Sequence, residues 1–178
     1  YKRAHKKFDG IVVKNLSLDE IIKHEETIYD LYHYVAQNAP FNTFFLSKNH
    51  FSTMKKQCLD HFLIYGYFLE GKLVGFHTML LNGAVLETYF LGYDAKVQKE
   101  NMLYLNMLYN MTTYGIENGY KKIIFGRTAL EIKSSIGAIP VNMSGFIYHN
   151  NKFINKYIGQ LFKKLEPTLH WQQRNPFK

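Results

Sequence analysis

The sequence predicts a mixed α/β domain: a sheet partly antiparallel and partly parallel, with helices on both faces. Two stretches carry that expectation. Residues 62–93 read as three consecutive strands, separated by the turn signals Glu70-Gly71-Lys72 and Asn82-Gly83. The second signal accepts positive φ at both residues and is a strong hairpin marker. Residues 97–117 read as a helix apolar on nearly every side (Leu103, Leu105, Leu108, Met111, Tyr114), followed by a short strand at 122–125. Such a helix is covered by other elements. It is therefore expected to cross over from the third strand of the meander to a parallel neighbour.

The remaining elements follow from local chemistry. Residues 1–8 form a basic patch that reads as the end of a helix begun upstream, and 11–16 as a short strand. Ser17-Leu18-Asp19-Glu20 is a capping box. It opens a helix carrying Ile21, Ile28, Tyr32 and Val35 on one stripe and stopping before Pro40. Ser47 is expected to cap a shorter helix with Phe51, Met54 and Cys58. Asn118-Gly119 ends the long helix. Thr128-Ala129-Leu130-Glu131 reads as a second capping box, opening a helix that runs to Ser135. A last strand is expected over 141–148, a basic amphipathic helix over 151–165, and an irregular tail from Pro167 onward. With no repeat, low-complexity linker or composition break, residues 1–178 read as one domain.

Composition narrows the function classes. At 47% hydrophobic residues the chain can bury a core, and 178 residues need no staples to do so. Cys58 is the lone cysteine, which excludes an internal disulfide and a cysteine metal cage and points to a reducing, cytoplasmic setting. No apolar run reaches the ~18–20 residues of a membrane span. The chain begins at Tyr1 rather than Met, so it is expected to be a fragment of a longer protein. The formal charge of +8 points to an anionic partner or to a simple solubility bias. Basic residues cluster tightly only at Lys2-Arg3-Ala4-His5-Lys6-Lys7, which is short for a nucleic-acid arm. The eight histidines show no HxxxH or HxH spacing, so no metal is expected. His77 and Cys58 read as core residues.

The order of strand, two helices, three-stranded meander, long helix, strand, helix and strand resembles the GNAT acyltransferase fold. Glu87-Thr88-Tyr89, Gly115 to Tyr120, Phe125-Gly126-Arg127-Thr128 and Lys133-Ser134-Ser135-Ile136-Gly137-Ala138 resemble the FemAB-type peptidoglycan-bridge enzymes within it. Those carry a lysine, three residues, then Gly-Ala or Gly-Gly after the strand that follows the long helix. The close Trp171 to Phe177 resembles the W, R, P-F ending of related acyltransferases. The resemblance implies N-acyl transfer from acyl-CoA or aminoacyl-tRNA to a small amine or a peptidoglycan-precursor-like acceptor. It also implies a second GNAT-like lobe upstream. In that case this chain could instead be a non-catalytic lobe that binds RNA or an anionic surface through its charge and the basic helix.

Candidate site residues follow. Glu87, on the third meander strand, is the candidate general base for the attacking amine. Tyr89, two residues on, and Tyr93 are candidate acids to the leaving group. GNAT enzymes seat the coenzyme A pyrophosphate on a glycine-rich turn opening the long helix. Here that turn reads Tyr93-Asp94-Ala95-Lys96-Val97-Gln98-Lys99-Glu100-Asn101, with no glycine after Gly92. Tyr93, Lys96 and Asn101 are the candidate donor contacts, and weak coenzyme A binding is expected. Arg127 and Lys133, flanking the second capping box, are candidates for an anionic substrate group.

Overall fold

The computed structural model describes all residues except Tyr1, Pro40, Phe41, Thr43, 166–170 and Lys178, and the side chains of 164 and 165. The expected helix stop at Pro40 and the start of the tail at Pro167 lie outside the described residues. The chain divides into two compact units, Tyr1–Arg127 and Thr128–Lys178.

The first unit runs α1 (Lys2–Lys7), β1 (Ile11–Asn15), α2 (Leu18–Lys23), α3 (Glu25–Gln37), α4 (His50–Cys58) and a 3₁₀ turn (Leu59–His61). It continues through β2 (Phe62–Leu69), β3 (Lys72–Asn82), β4 (Val85–Tyr93), α5 (Ala95–Asn101), α6 (Leu103–Glu117) and β5 (Lys122–Ile124). The five strands form one sheet in sequence order. The first three pairings are antiparallel and β4–β5 is parallel, as the meander and crossover require.

Turn chemistry sets the register. Glu70 and Gly71 both hold positive φ (49° and 76°) between the paired Leu69 and Lys72, the sign pattern of a type I′ turn. At the second hairpin Asn82 is not a turn residue: it pairs with Val85, and only Gly83 has positive φ (57°). The loop is therefore Gly83-Ala84, with glycine at the first central position as a type II′ turn demands.

Two expected helices are each broken by one residue. His24 separates α2 from α3, closing the first at φ −104° and opening the second, with its ring edge-on to Phe68. The apolar stripe continues across the break, with Ile21, Ile28 and Tyr32 buried, so periodicity could not register it. Met102, in the left-handed region at φ 52°, separates α5 from α6. Polar side chains hold that joint: Gln98 Oε1 accepts from Tyr104 N at 2.6 Å, and Asn106 Nδ2 donates to the Asn101, Met102 and Ala4 carbonyls. At α4 the cap residue is Asn49 rather than Ser47, whose hydroxyl instead donates to Asn49 Oδ1. The other signals hold as expected. Ser17 and Glu20 complete their capping box, and α6 ends on Gly119 at φ 71° with Tyr120 N donating to Gly115 O.

Helices cover both faces of the sheet. On one, Ile21, Ile28, Tyr32, Phe51, Phe62 and Phe76 join strands to α2, α3 and α4 in a single cluster. On the other, Leu103, Met107 and Met111 of α6 are buried, and a Cβ added at Gly75 of β3 would meet Leu103 and Met107. Gly92 lets α3 approach β4 closely: a Cβ there would lie 2.5 Å from the backbone of Leu31 and Tyr32. Backbone cannot step aside as a side chain can. Gly92→Ala is therefore expected to destabilise the domain by about 1–3 kcal/mol, read as a lower urea midpoint at unchanged slope.

The second unit holds α7 (Leu130–Ser134) and α8 (Lys152–Leu165). Its sequence signals fared differently. The expected capping box at Thr128 does not form: the residue before α7 is Ala129, left-handed at φ 54° and without a side-chain cap, and Glu131 pairs with Arg174 Nη2 at 2.6 Å. The expected strand over 141–148 is absent, and all eight of those residues are exposed without a ladder partner. Alternating apolar residues specify a strand only where an edge is there to pair with. The tail docks locally instead: Arg174 N donates to Ser134 Oγ (3.0 Å), Gln173 Nε2 to Ala138 O (3.4 Å), and Phe177 lies against Gly137.

Candidate functional site

The site is built where β4 and β5 part. The parallel ladder has three rungs, Val85↔Lys122, Leu86↔Ile123 and Glu87↔Ile124, and then stops. β4 runs on for six residues to Tyr93 with β3 on one side and, among the described residues, no strand on the other. The β3 register fixes what that open edge presents. Asp94 N donates to Val74 O, so Gly75↔Tyr93 and His77↔Leu91 are non-hydrogen-bonded pairs. Leu91 and Tyr93 therefore turn their own N–H and C=O groups away from β3, toward the open edge. On these half-buried residues the outward backbone groups have no strand partner among the described residues. An extended ligand carrying amides can supply one.

A β-bulge shapes the same stretch. Between the pairs His77↔Leu91 and Met79↔Thr88, two residues of β4 oppose Thr78. The Thr78 hydroxyl closes the gap by donating to Phe90 O (2.7 Å) and accepting from Phe90 N (2.8 Å). The extra residue changes which side chains share a face. Strict alternation expects Leu91 to follow Glu87 and Tyr89. Instead Leu91 pairs with His77 on the α6 side, while Tyr89 and Phe90 both meet His50 of α4.

Glu87 stands on the last parallel rung, half-buried, accepting from Asn82 Nδ2 at 3.3 Å. Tyr89 is more exposed, and its Oη lies 3.2 Å from His50 Nε2. Burial raises the tyrosine pKa and lowers that of His50, so both are neutral near pH 7 and share one hydrogen bond. His50 escaped the sequence reading: 39 residues separate it from Tyr89, and only the packing of α4 on the sheet brings them together.

The other candidates are more dispersed. Tyr93 closes β4, its ring between Tyr34 and Tyr104 and its pKa raised by burial. Lys96 is exposed in the first turn of α5, and Asn101, at the far end of that helix, donates Nδ2 to Lys7 O at 2.8 Å. The amides opening α5 are already engaged: Asp94 Oδ1 accepts from Lys96 N (2.9 Å) and Val97 N (3.0 Å). An anion seated there would have to displace a carboxylate. Arg127 is exposed, three residues past β5. Lys133 belongs to the second unit, where it is buried on α7 and its pKa falls to about 8 through desolvation. Among the described residues, no three His, Cys, Asp or Glu side chains are grouped to hold a metal, and no helix is long and apolar enough to cross a membrane.

No family model and no curated protein matches this sequence. Solved structures do match in fold. An aminoglycoside acetyltransferase from an uncultured soil metagenomic sample, in complex with sisomicin, superposes with a TM-score of 0.57 at 16% identity, covering 81% of this chain and 98% of that one. A GNAT family acetyltransferase of Staphylococcus aureus gives 0.54 at 13% identity, covering 79% and 98%. An aminoglycoside N-acetyltransferase in complex with CoA gives 0.56 at 10% identity, covering 79% and 95%. At these identities the likeness is one of fold: the chain has the GNAT architecture.

Proposed function

We propose that this chain is an N-acyltransferase that moves an acyl group from a thioester or ester donor to a primary amine. The observation that carries the reading is the position of Glu87, a carboxylate on the last rung before two parallel strands part. In such a fold the donor lies along the open β4 edge, where the Leu91 and Tyr93 backbone groups pair with its amides. Glu87 takes the proton from the attacking amine as the N–C bond forms. The bond from the acyl carbon to its leaving sulfur or oxygen breaks, and Tyr89 gives the departing atom its proton, with His50 hydrogen-bonded behind it. The acceptor is a small amine or a peptidoglycan-precursor-like amine, and Arg127 is proposed to hold its anionic group or the donor's; Lys133, in the second unit, is proposed separately as an anion contact.

Acyl-CoA is the first donor to test, because a fold neighbour is described with CoA bound. Incubation with acetyl-CoA and a panel of amines should release free thiol and yield an acetylated amine by mass spectrometry. Neither product appearing with any donor would sink the enzymatic reading.

One observation favours a second donor. With the α5 amides held by Asp94 and no glycine in the turn, the usual seat of a pyrophosphate is filled, which suits an aminoacyl ester carried on tRNA. Acetyl-CoA is therefore expected to bind more weakly than a Kd of ~1 μM, about −8 kcal/mol. Asp94→Ala should uncap α5, at a cost of about 1 kcal/mol in stability, and at the same time tighten CoA. Calorimetry on both proteins checks this, and submicromolar CoA binding by the unmodified chain would overturn it.

A further inference from the structure

The second unit ends in a helix whose two sides are chemically opposed. Along α8, Phe153, Ile154, Tyr157, Ile158, Leu161 and Phe162 recur at helical spacing. Phe153 is 81% exposed, Tyr157 58% and Leu161 56%, so this stripe faces water. Lys152, Lys156 and Lys163 fall on the opposite arc. Local bonds fix where the helix starts: Asn151 Oδ1 accepts from Phe153 N and Ile154 N, and Asn155 Oδ1 from His149 N. An exposed apolar stripe does not stabilise a helix of this length in water. Something is needed to cover it.

Charge selects the occupant. From Ile132 to Leu165 the sequence holds no aspartate or glutamate, and α8 alone carries four lysines, half of the chain's formal +8. A second copy of the helix would bury the stripe but leave the lysines on both outer arcs without a counter-charge. RNA would neutralise the lysines but leave the phenylalanines and Leu161 in water. An anionic bilayer surface satisfies both sides at once: the aromatic and aliphatic stripe sinks to the acyl boundary while the long lysine stems of the polar face reach round to lipid phosphates and carboxylates. Phe146, wholly exposed in the segment leading to α8, lies near enough in sequence to add to the contact. We infer that α8 is a membrane-surface helix that lies in the plane of an anionic bilayer and brings this domain to it.

The test is sedimentation of the full chain with phosphatidylcholine vesicles, with and without phosphatidylserine. Binding is expected only with the anionic lipid, weakening as salt is raised. Lys152→Gln with Lys156→Gln should weaken it about thirtyfold, and Leu161→Asp should abolish it. In the unmodified chain, amide exchange over 152–165 should slow on adding anionic vesicles, while that over 25–37 does not change. That readout needs no variant to fold. Equal binding to neutral vesicles, or no slowing over 152–165, overturns the proposal. So does binding of single-stranded RNA that survives Leu161→Asp while vesicles are ignored. A lowered melting temperature for Leu161→Asp in the absence of lipid would show that the protein itself covers the stripe. Loss of a dimer in that variant would show a second copy instead. None of these outcomes depends on acyl transfer, so failure here leaves the reading of Glu87 untouched.

Discussion

Glu87→Gln is expected to slow the chemical step by roughly 10²–10⁴-fold while leaving donor affinity nearly unchanged. The substitution is close to isosteric, and the carboxamide oxygen can still accept the bond from Asn82 Nδ2 that Glu87 Oε1 accepts now. The strand pairings of Glu87 to Leu80 and to Ile124 are made by backbone and persist. What disappears is the capacity to take a proton. The expected signature is therefore a fall in the single-turnover rate with an unchanged calorimetric Kd for the donor and an unchanged melting temperature. An amine supplied already deprotonated, at alkaline pH, should recover part of the loss, because it no longer needs the base. A variant within a few-fold of the unmodified rate would remove Glu87 from the mechanism. A variant that loses donor binding in proportion to rate would reassign it to positioning.

How much of this was legible in the sequence depends on the kind of signal. The meander and its parallel fifth strand were, because Gly71, Gly83 and the all-round apolar residues of 103–111 act through local rules. So was the exceptional turn after β4: the absence of glycine in 93–101 is visible on paper. What filled that turn was not, since Asp94 reads equally well as a solvated loop residue until its bonds to Lys96 N and Val97 N are seen. The breaks at His24 and Met102 were hidden because a one-residue interruption leaves an apolar stripe intact. The bulge at Tyr89 and Phe90 was hidden for a different reason. Its cause, the Thr78 hydroxyl, sits on the neighbouring strand, so no window along β4 contains it. His50 was invisible in the same sense. The 141–148 segment is the converse failure, a strand pattern that found no edge.

A second large effect is expected from acid. His77 is buried beneath α6, stacked on Tyr65 with centroids 5.3 Å apart, and its Nδ1 lies 2.9 Å from Tyr67 Oη. Asn110 Nδ2 donates to that same hydroxyl at 3.0 Å. An amide nitrogen can only donate, so Tyr67 Oη accepts from Asn110 and keeps its own proton for His77 Nδ1, while the other ring nitrogen, Nε2, is buried with no partner among the described residues. Protonating Nδ1 would set two donors against Tyr67 Oη and place a charge in the core. Burial accordingly drives the His77 pKa down to about 3. The unfolded chain takes its proton near pH ~6.5. Above that value neither state is charged and the stability is whole. Below it the unfolded chain binds a proton that the folded one refuses, so stability declines by about 1.4 kcal/mol per pH unit until the folded pKa is reached. The total is on the order of 4–5 kcal/mol, a large share of what a domain of this size possesses. Urea unfolding at stepped pH should show that decline between about 6.5 and 3. His77→Gln, whose side-chain oxygen can accept from Tyr67, should remove one proton's worth of slope across the same window. Parallel curves for the two proteins would show that His77 titrates normally. The result also bears on catalysis: activity lost on the acid side would then report unfolding through His77, and assigning that limb to Glu87 requires measuring it in the His77→Gln variant.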